Sequence, residues 1–153
     1  MRTLLLTGLI FFFGVNLLYG QIFSETGLEV ENHEEVFVLI ENLNSDALDI
    51  GLTKRRIESR VNVRLRQINL KPATYRAEAL YINIIVVGGA YNIIVDFTRP
   101  TLFFKGEDLY QIGLAKVYSL GVTGTHGRDP DYIISALDGL LDRFLSDYLD
   151  VND

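Results

Sequence analysis

Leu80–Phe97 reads LYINIIVVGGAYNIIVDF, two β-rich runs on either side of Gly88-Gly89. A diglycine between such runs is the signal of a two-residue hairpin turn, because the central positions of the favoured turns need the positive φ that glycine adopts freely. Taking both glycines as the turn, with positive φ at each, pairs Val87 with Ala90 and sets every later pair. Leu80 then lies opposite Phe97, Ile82 opposite Val95, Ile84 opposite Ile93 and Val86 opposite Tyr91, a wholly apolar face. The other face carries Tyr81 opposite Asp96, Asn83 opposite Ile94 and Ile85 opposite Asn92. A slip of one residue would mix the two sets, so the register is strongly specified.

Before the hairpin, Val36-Phe37-Val38-Leu39-Ile40 is a continuous apolar run, which predicts a strand covered on both faces. Asn42 to Gly51 reads as a polar connection. Thr53 is placed to cap a helix reaching about Ile68, in which Ile57, Val61, Leu65 and Ile68 form one apolar stripe. Lys71-Pro72 ends that segment. After the hairpin, Pro100 is expected to interrupt the strand and Lys105-Gly106-Glu107-Asp108 to turn the chain. Tyr110 to Leu120 reads as a further antiparallel strand. Lys116 must avoid the apolar face, and strict alternation then puts Leu114, Lys116 and Tyr118 with Tyr81 and Asp96, and Ala115 and Val117 toward the core. The last segment is a helix, with Asp129 as cap, Pro130 at its first position, Asp131 beside the positive end of its dipole, and Ile133, Leu137, Leu140, Leu141, Phe144 and Tyr148 as its buried stripe.

The predicted order is β-α-β-β-β-α. Two amphipathic helices and one apolar sheet face imply an α+β two-layer sandwich, with a mixed, mainly antiparallel sheet and both helices on one face. The first crossover should be right-handed, which sets the first strand parallel to the second.

The succession IGLTKRRIESRVNVRLR, LYINIIV, AYNIIVDF, VYSLGVTGTHG and IISALDGLLDRFLSDYLDVN resembles a group of small exported bacterial proteins of unknown function. The element order is also similar to that of lipopolysaccharide-assembly lipoproteins and related auxiliary proteins of the cell envelope. The resemblance implies an envelope role without specifying an activity. Those lipoproteins depend on a lipobox cysteine, and this chain has no cysteine, so no lipid anchor is expected.

The amino terminus agrees with an exported protein. Arg2 precedes an uncharged run from Thr3 to Gly20 rich in Leu, Ile and Phe, which reads as a signal peptide over residues 1–20 cleaved before Gln21; a retained membrane anchor is the alternative. The mature chain would be periplasmic or extracellular. Residues 21–35 read as a loose arm, with His33 solvated within it, and residues 36–153 as a single domain. Without residues 1–20 the chain holds 13 Lys+Arg against 20 Asp+Glu, a balance of −7. Nucleic acid and anionic lipid head groups are disfavoured as partners, since both require clustered positive charge.

The most site-like stretch is Ser119–Ile134, SLGVTGTHGRDPDYII. Thr123, Gly124, Thr125, His126, Gly127 and Arg128 precede a helix start, where free backbone N–H groups could hold an anion. Asp129 and Asp131 already occupy that positive end, and no Lys-Ser/Thr follows the glycines as in a phosphate-binding loop. The preferred reading is a strand-to-helix corner, with an anion site, or a metal on His126 with Asp129 or Asp131, as alternatives. No nucleophile motif occurs, so neither catalysis nor a cofactor is expected; a small enzyme using the 121–131 loop is the alternative. Arg56, Arg60 and Arg64 form a basic stripe that is either solvated, paired with Asp138 and Asp142 of the last helix, or open to an anionic partner. The half-polar sheet face, Tyr81, Asn83, Ile85, Asn92, Ile94, Asp96, Lys116 and Tyr118, suits a protein or envelope partner, or a second copy of the chain, through its mixture of aromatic, apolar and hydrogen-bonding groups.

Overall fold

The computed structural model describes residues 26–30, 34–74, 78–104 and 110–152. It contains β1 (Glu35–Ile40), α1 (Ser45–Asp49), α2 (Lys54–Gln67), β2 (Lys71–Ala73), β3 (Ala79–Val87), β4 (Ala90–Phe104), β5 (Tyr110–Thr125) and α3 (Pro130–Asn152). The strands form one sheet in the order β2-β1-β3-β4-β5. β1 runs parallel to β2 and β3, while β3, β4 and β5 are successively antiparallel. The helices pack on one side, which makes the fold the expected α+β two-layer sandwich.

The β3–β4 register is the one the diglycine dictates, from Val87 opposite Ala90 through Leu80 opposite Phe97. Only Gly88 has a positive φ, +58°. That is the pattern of a II′ turn, which needs it at the first central residue alone, so the expectation of two positive φ values is corrected. The apolar face so formed meets Ile57, Val61 and Leu65 of α2 and Ile133, Leu137, Leu141, Phe144 and Tyr148 of α3. Each such Leu, Ile or Phe contributes roughly 1.5–3 kcal/mol relative to an exposed one. The centre of the α3 contact is aromatic: the Phe144 ring lies 5.9 Å from Phe97, 6.0 Å from Tyr118 and 5.8 Å from Tyr148 between centroids.

Several expectations are overturned. Pro100 does not interrupt β4, which continues to Phe104 opposite Tyr110. β3 ends opposite Thr98, so Pro100 lies where β4 has only β5 beside it, a setting in which a strand tolerates proline. The polar connection contains α1, and Lys71-Pro72 begins the short strand β2. β1 is not covered on both faces, because Leu39 is 44% exposed on the side away from the helices. The arm is not loose where it is described: Leu28 is fully buried, its carbonyl accepts from Asn152 Nδ2 at 3.0 Å, and Val30 N–H donates to Asn152 Oδ1 at 3.0 Å. Residues 1–25, the expected cleavage point, His33 and the 105–108 turn lie outside the described residues.

Asn44, at the start of α1, does not cap the helix with its side chain. Its amide instead bonds β3, Nδ2 donating to Val86 O at 2.5 Å and Oδ1 accepting from Val86 N at 3.3 Å. A side-chain amide thus takes the ladder positions that β1, which pairs with β3 only as far as Ile82, leaves vacant.

Candidate functional site

The outer sheet face, opposite the helices, carries most of the candidate residues. Tyr81, Asn83 and Ile85 of β3 lie across from Asp96, Ile94 and Asn92 of β4. Lys116 joins them through its partner Thr98, and its Nζ stands 3.1 Å from Asp96 Oδ2. Asp96 is only 7% exposed. Its other oxygen accepts from Ser119 Oγ at 2.5 Å. Lys116 is more than half exposed, so its cross-strand pair with Asp96 contributes only ~0.2–1 kcal/mol. Tyr81 donates its hydroxyl proton to Glu41 Oε2 at 2.9 Å. That hydrogen bond, with burial second, pushes the phenol pKa up from its ordinary value. Asn92 Nδ2 donates to Thr123 Oγ1 at 3.0 Å. Tyr81, Asn92, Asp96 and Lys116 are therefore engaged with neighbouring polar side chains, while Leu39, Ile85 and Val87 present apolar surface between them.

Tyr118 is the exception. The ladder shifts by one residue between Phe97 and Thr98, so that Phe97 faces Tyr118, Thr98 faces Lys116 and Val117 is the additional residue. Strict alternation would keep positions 116 and 118 on one face; the bulge sends Lys116 outward and Tyr118 inward. Inside, Tyr118 packs on Phe144 and donates its hydroxyl proton to Asp147. Burial first, and that hydrogen bond second, push its pKa up to about 12. The bulge places Ser119, which the sequence analysis omitted, on the outer face in its stead.

The 121–131 loop is a corner. His126 is fully buried; its Nδ1 accepts from Arg128 N at 3.0 Å, so Nε2 carries the proton and donates to Gly88 O at 3.0 Å. Its backbone N–H donates to Gly89 O at 3.1 Å, tying the end of β5 to the β3–β4 turn. Gly124 lies under Tyr91, whose oxygen would stand 2.6 Å from a Cβ there. Asp129 Oδ1 caps α3 by accepting from Asp131 N at 2.9 Å. Thr123 and Thr125 lie on the outer face, Gly124 and His126 turn inward, and Arg128 borders a hollow with Asp46 and Asp49. The six anion-site candidates therefore do not converge. No group of three metal-ligating side chains occurs among the described residues.

The arginine stripe is a zipper between helices. Arg56 pairs with Asp131, Arg60 and Arg64 share Asp138, and Arg64 also reaches Asp142 at 3.2 Å. Burial pushes the Asp138 carboxyl upward, but the hydrogen bonds and charges of Arg60 and Arg64 outweigh it, leaving the pKa below its ordinary value. The pairing contributes stability above the unfolded aspartate pKa of about 4 and loses it as pH falls through the lower folded value. Beside the zipper, a groove of about 500 Å³ is lined by Arg55, Arg56, Arg60, Ser59 and Val63.

A second apolar surface lies where β4 and β5 run past the end of β3. There Leu102, Phe103, Phe104, Ile112 and Leu114 are all 46% exposed or more. The sequence signal for this two-stranded ribbon was hidden by reading Pro100 as a break.

No protein-family model matches the chain, and no curated protein is significantly similar to it.

Proposed function

We propose that this chain is an exported, non-enzymatic binding or assembly module of the cell envelope that engages a protein partner through its outer sheet face. The observation that carries this reading is the exposure of Leu39, Ile85 and Val87 among the hydrogen-bonded or ion-paired side chains of Tyr81, Asn92, Asp96 and Lys116 on the face the helices leave open. Apolar side chains set in such a frame lose water on docking without stranding a charge. The export part rests on the uncharged run at residues 3–20. Tyr81 and Ile85 are the expected anchors, since aromatic and apolar groups at the centre of a patch carry most of its binding energy.

A photo-crosslinking amino acid placed at Ile85 in intact cells tests the reading, with the same reagent at Val63 on α2 as the control. One discrete adduct from Ile85, suppressed by Tyr81→Ser and not seen from Val63, is the expected result. Identical patterns from the two positions would overturn it. Amino-terminal sequencing of the mature protein should begin at Gln21.

A further inference from the structure

We propose that two copies of the chain join by their β5 margins, residues 110–116 pairing antiparallel with the same stretch of a second copy about a two-fold axis at Gly113. β5 is the last strand of the sheet, and the direction of its backbone groups follows from the hairpin. At a two-residue turn the flanking pair, here Val87 and Ala90, exchanges both of its hydrogen bonds. Alternation along β4 then directs the backbone of the even-numbered residues toward β3 and that of the odd-numbered ones toward β5. Pro100, which has no N–H to give, falls in the first set, beyond the end of β3. Arg99, Thr101 and Phe103 fall in the second, opposite Ala115, Gly113 and Gln111. The N–H and C=O groups of Tyr110, Ile112, Leu114 and Lys116 therefore point away from β4, to the open margin.

These four residues are symmetric about Gly113, so a second copy offers the backbone partners each lacks. Ile112 exchanges two bonds with Leu114 of the second copy, and Lys116 two with Tyr110. Lys116 is the one charge in residues 110–116, and it does not oppose its own counterpart, so no like charges meet. Of the registers that keep this phase, the one about Gly113 alone engages all seven residues. The side chains agree with it. Leu102, Ile112 and Leu114 are 59%, 74% and 66% exposed and share a face, because Leu102 is the cross-strand partner of Ile112 and Leu114 that of Pro100. The two-fold sets Leu102 and Ile112 in one apolar row with Leu114 and Pro100 of the second copy. On the other face Phe103, 46% exposed, lays its ring on Gly113 so closely that a Cβ there would stand 2.7 Å from Cε2. At the axis two glycines oppose each other at about 4.5 Å between Cα atoms, which leaves room for the two Phe103 rings to meet above them.

The features that guard a sheet margin against pairing are lysine, proline and bulges. Along β5 they begin only at Lys116 and the bulged Val117, where the paired stretch ends. The arm crosses at the same place, since Arg99 donates to Gly27 O at 3.3 Å and Gly27 lies against Val117, so its described part leaves residues 110–116 uncovered. Each copy holds its own complete sheet, so the pair forms from folded chains and on dilution returns folded monomers. The contact is independent of any partner on the outer sheet face.

The chain has no cysteine, so Ile112→Cys and Leu114→Cys each introduce a single thiol. Mixed and mildly oxidised, the two variants should give a disulfide-linked dimer several-fold faster than either alone. Directly paired positions lie about 5.5 Å apart between Cα atoms, within disulfide range, whereas like positions lie on the diagonal at ~7–8 Å. Val63→Cys on α2 is the control and should stay unlinked. In sedimentation equilibrium the purified protein should pass from monomer to dimer as its concentration rises through the micromolar range. Ile112→Lys, at an exposed position, should keep the circular dichroism of the wild type and raise the dissociation constant roughly tenfold or more. A wild type that stays monomeric throughout that range would overturn the proposal. So would a dimer that Ile112→Lys leaves unchanged, or a mixture of the two cysteine variants that links no faster than each by itself.

Discussion

The two ends of the β4–β5 ladder use similar side chains to opposite effect. From Ala90 to Phe97, β4 turns Tyr91, Ile93, Val95 and Phe97 into a core closed by α3. From Thr98 to Phe104 the same pair of strands continues with its register shifted by one residue, running past the end of β3 beyond Thr98, and its Leu, Ile and Phe side chains stay exposed. The bulge at Val117 is the boundary. Apolar alternation thus specifies which residues share a face; whether that face is covered depends on how far the neighbouring elements reach.

The largest test of this contrast sets Phe144→Ala against Leu114→Ser. The first opens a cavity in the aromatic centre and should cost ~3–5 kcal/mol, read as a fall in the urea midpoint. The second alters an exposed ribbon residue and should stay within ~0.5 kcal/mol. Equal losses would mean that the ribbon is part of the core, and the contrast would fail.

His126→Ala should cost ~1–3 kcal/mol, because it strands the Arg128 N–H and Gly88 carbonyl that the imidazole joins at the covered end. That is more than the corner reading alone implied, since the sequence did not show the ring to be buried. An unchanged midpoint would mean that the corner holds without its staple.

Tyr118→Phe, at the boundary, should cost about 1 kcal/mol near neutral pH. The folded pKa is raised, so the contribution of this phenol is complete below the unfolded value of about 10 and disappears as pH rises through about 12. The wild type should therefore lose its advantage over Tyr118→Phe across that window in urea titrations. A difference that stays constant with pH would assign Tyr118 to packing alone.

The hairpin register was legible because a period of two and a diglycine point to the same pairing. The helix stripes were legible because Thr53 and Asp129 cap them and their apolar residues repeat at three and four. The bulge left no such mark: Lys116 and Tyr118 are two apart, and only the competition between a charge needing water and a ring completing the Phe144 cluster separates them. Pro100 misled because a proline is read as a break without knowledge of which strands lie beside it. The outer-face group was recovered except for Tyr118, and Ser119 was missed through the same one-residue shift.

Asn44 has a consequence for how far chains of this kind can add to one another. With its amide on Val86, the overhang of β3 is closed to a foreign strand. On that same side the sheet ends in β2, three residues long and containing Pro72. Among the described residues, only β5 offers a long margin. Fibre growth by head-to-tail sheet extension needs two open margins per unit, one to receive and one to offer. With a single one, extension between chains stops at a two-fold pair, so even at high local concentration the architecture resists running on into a filament.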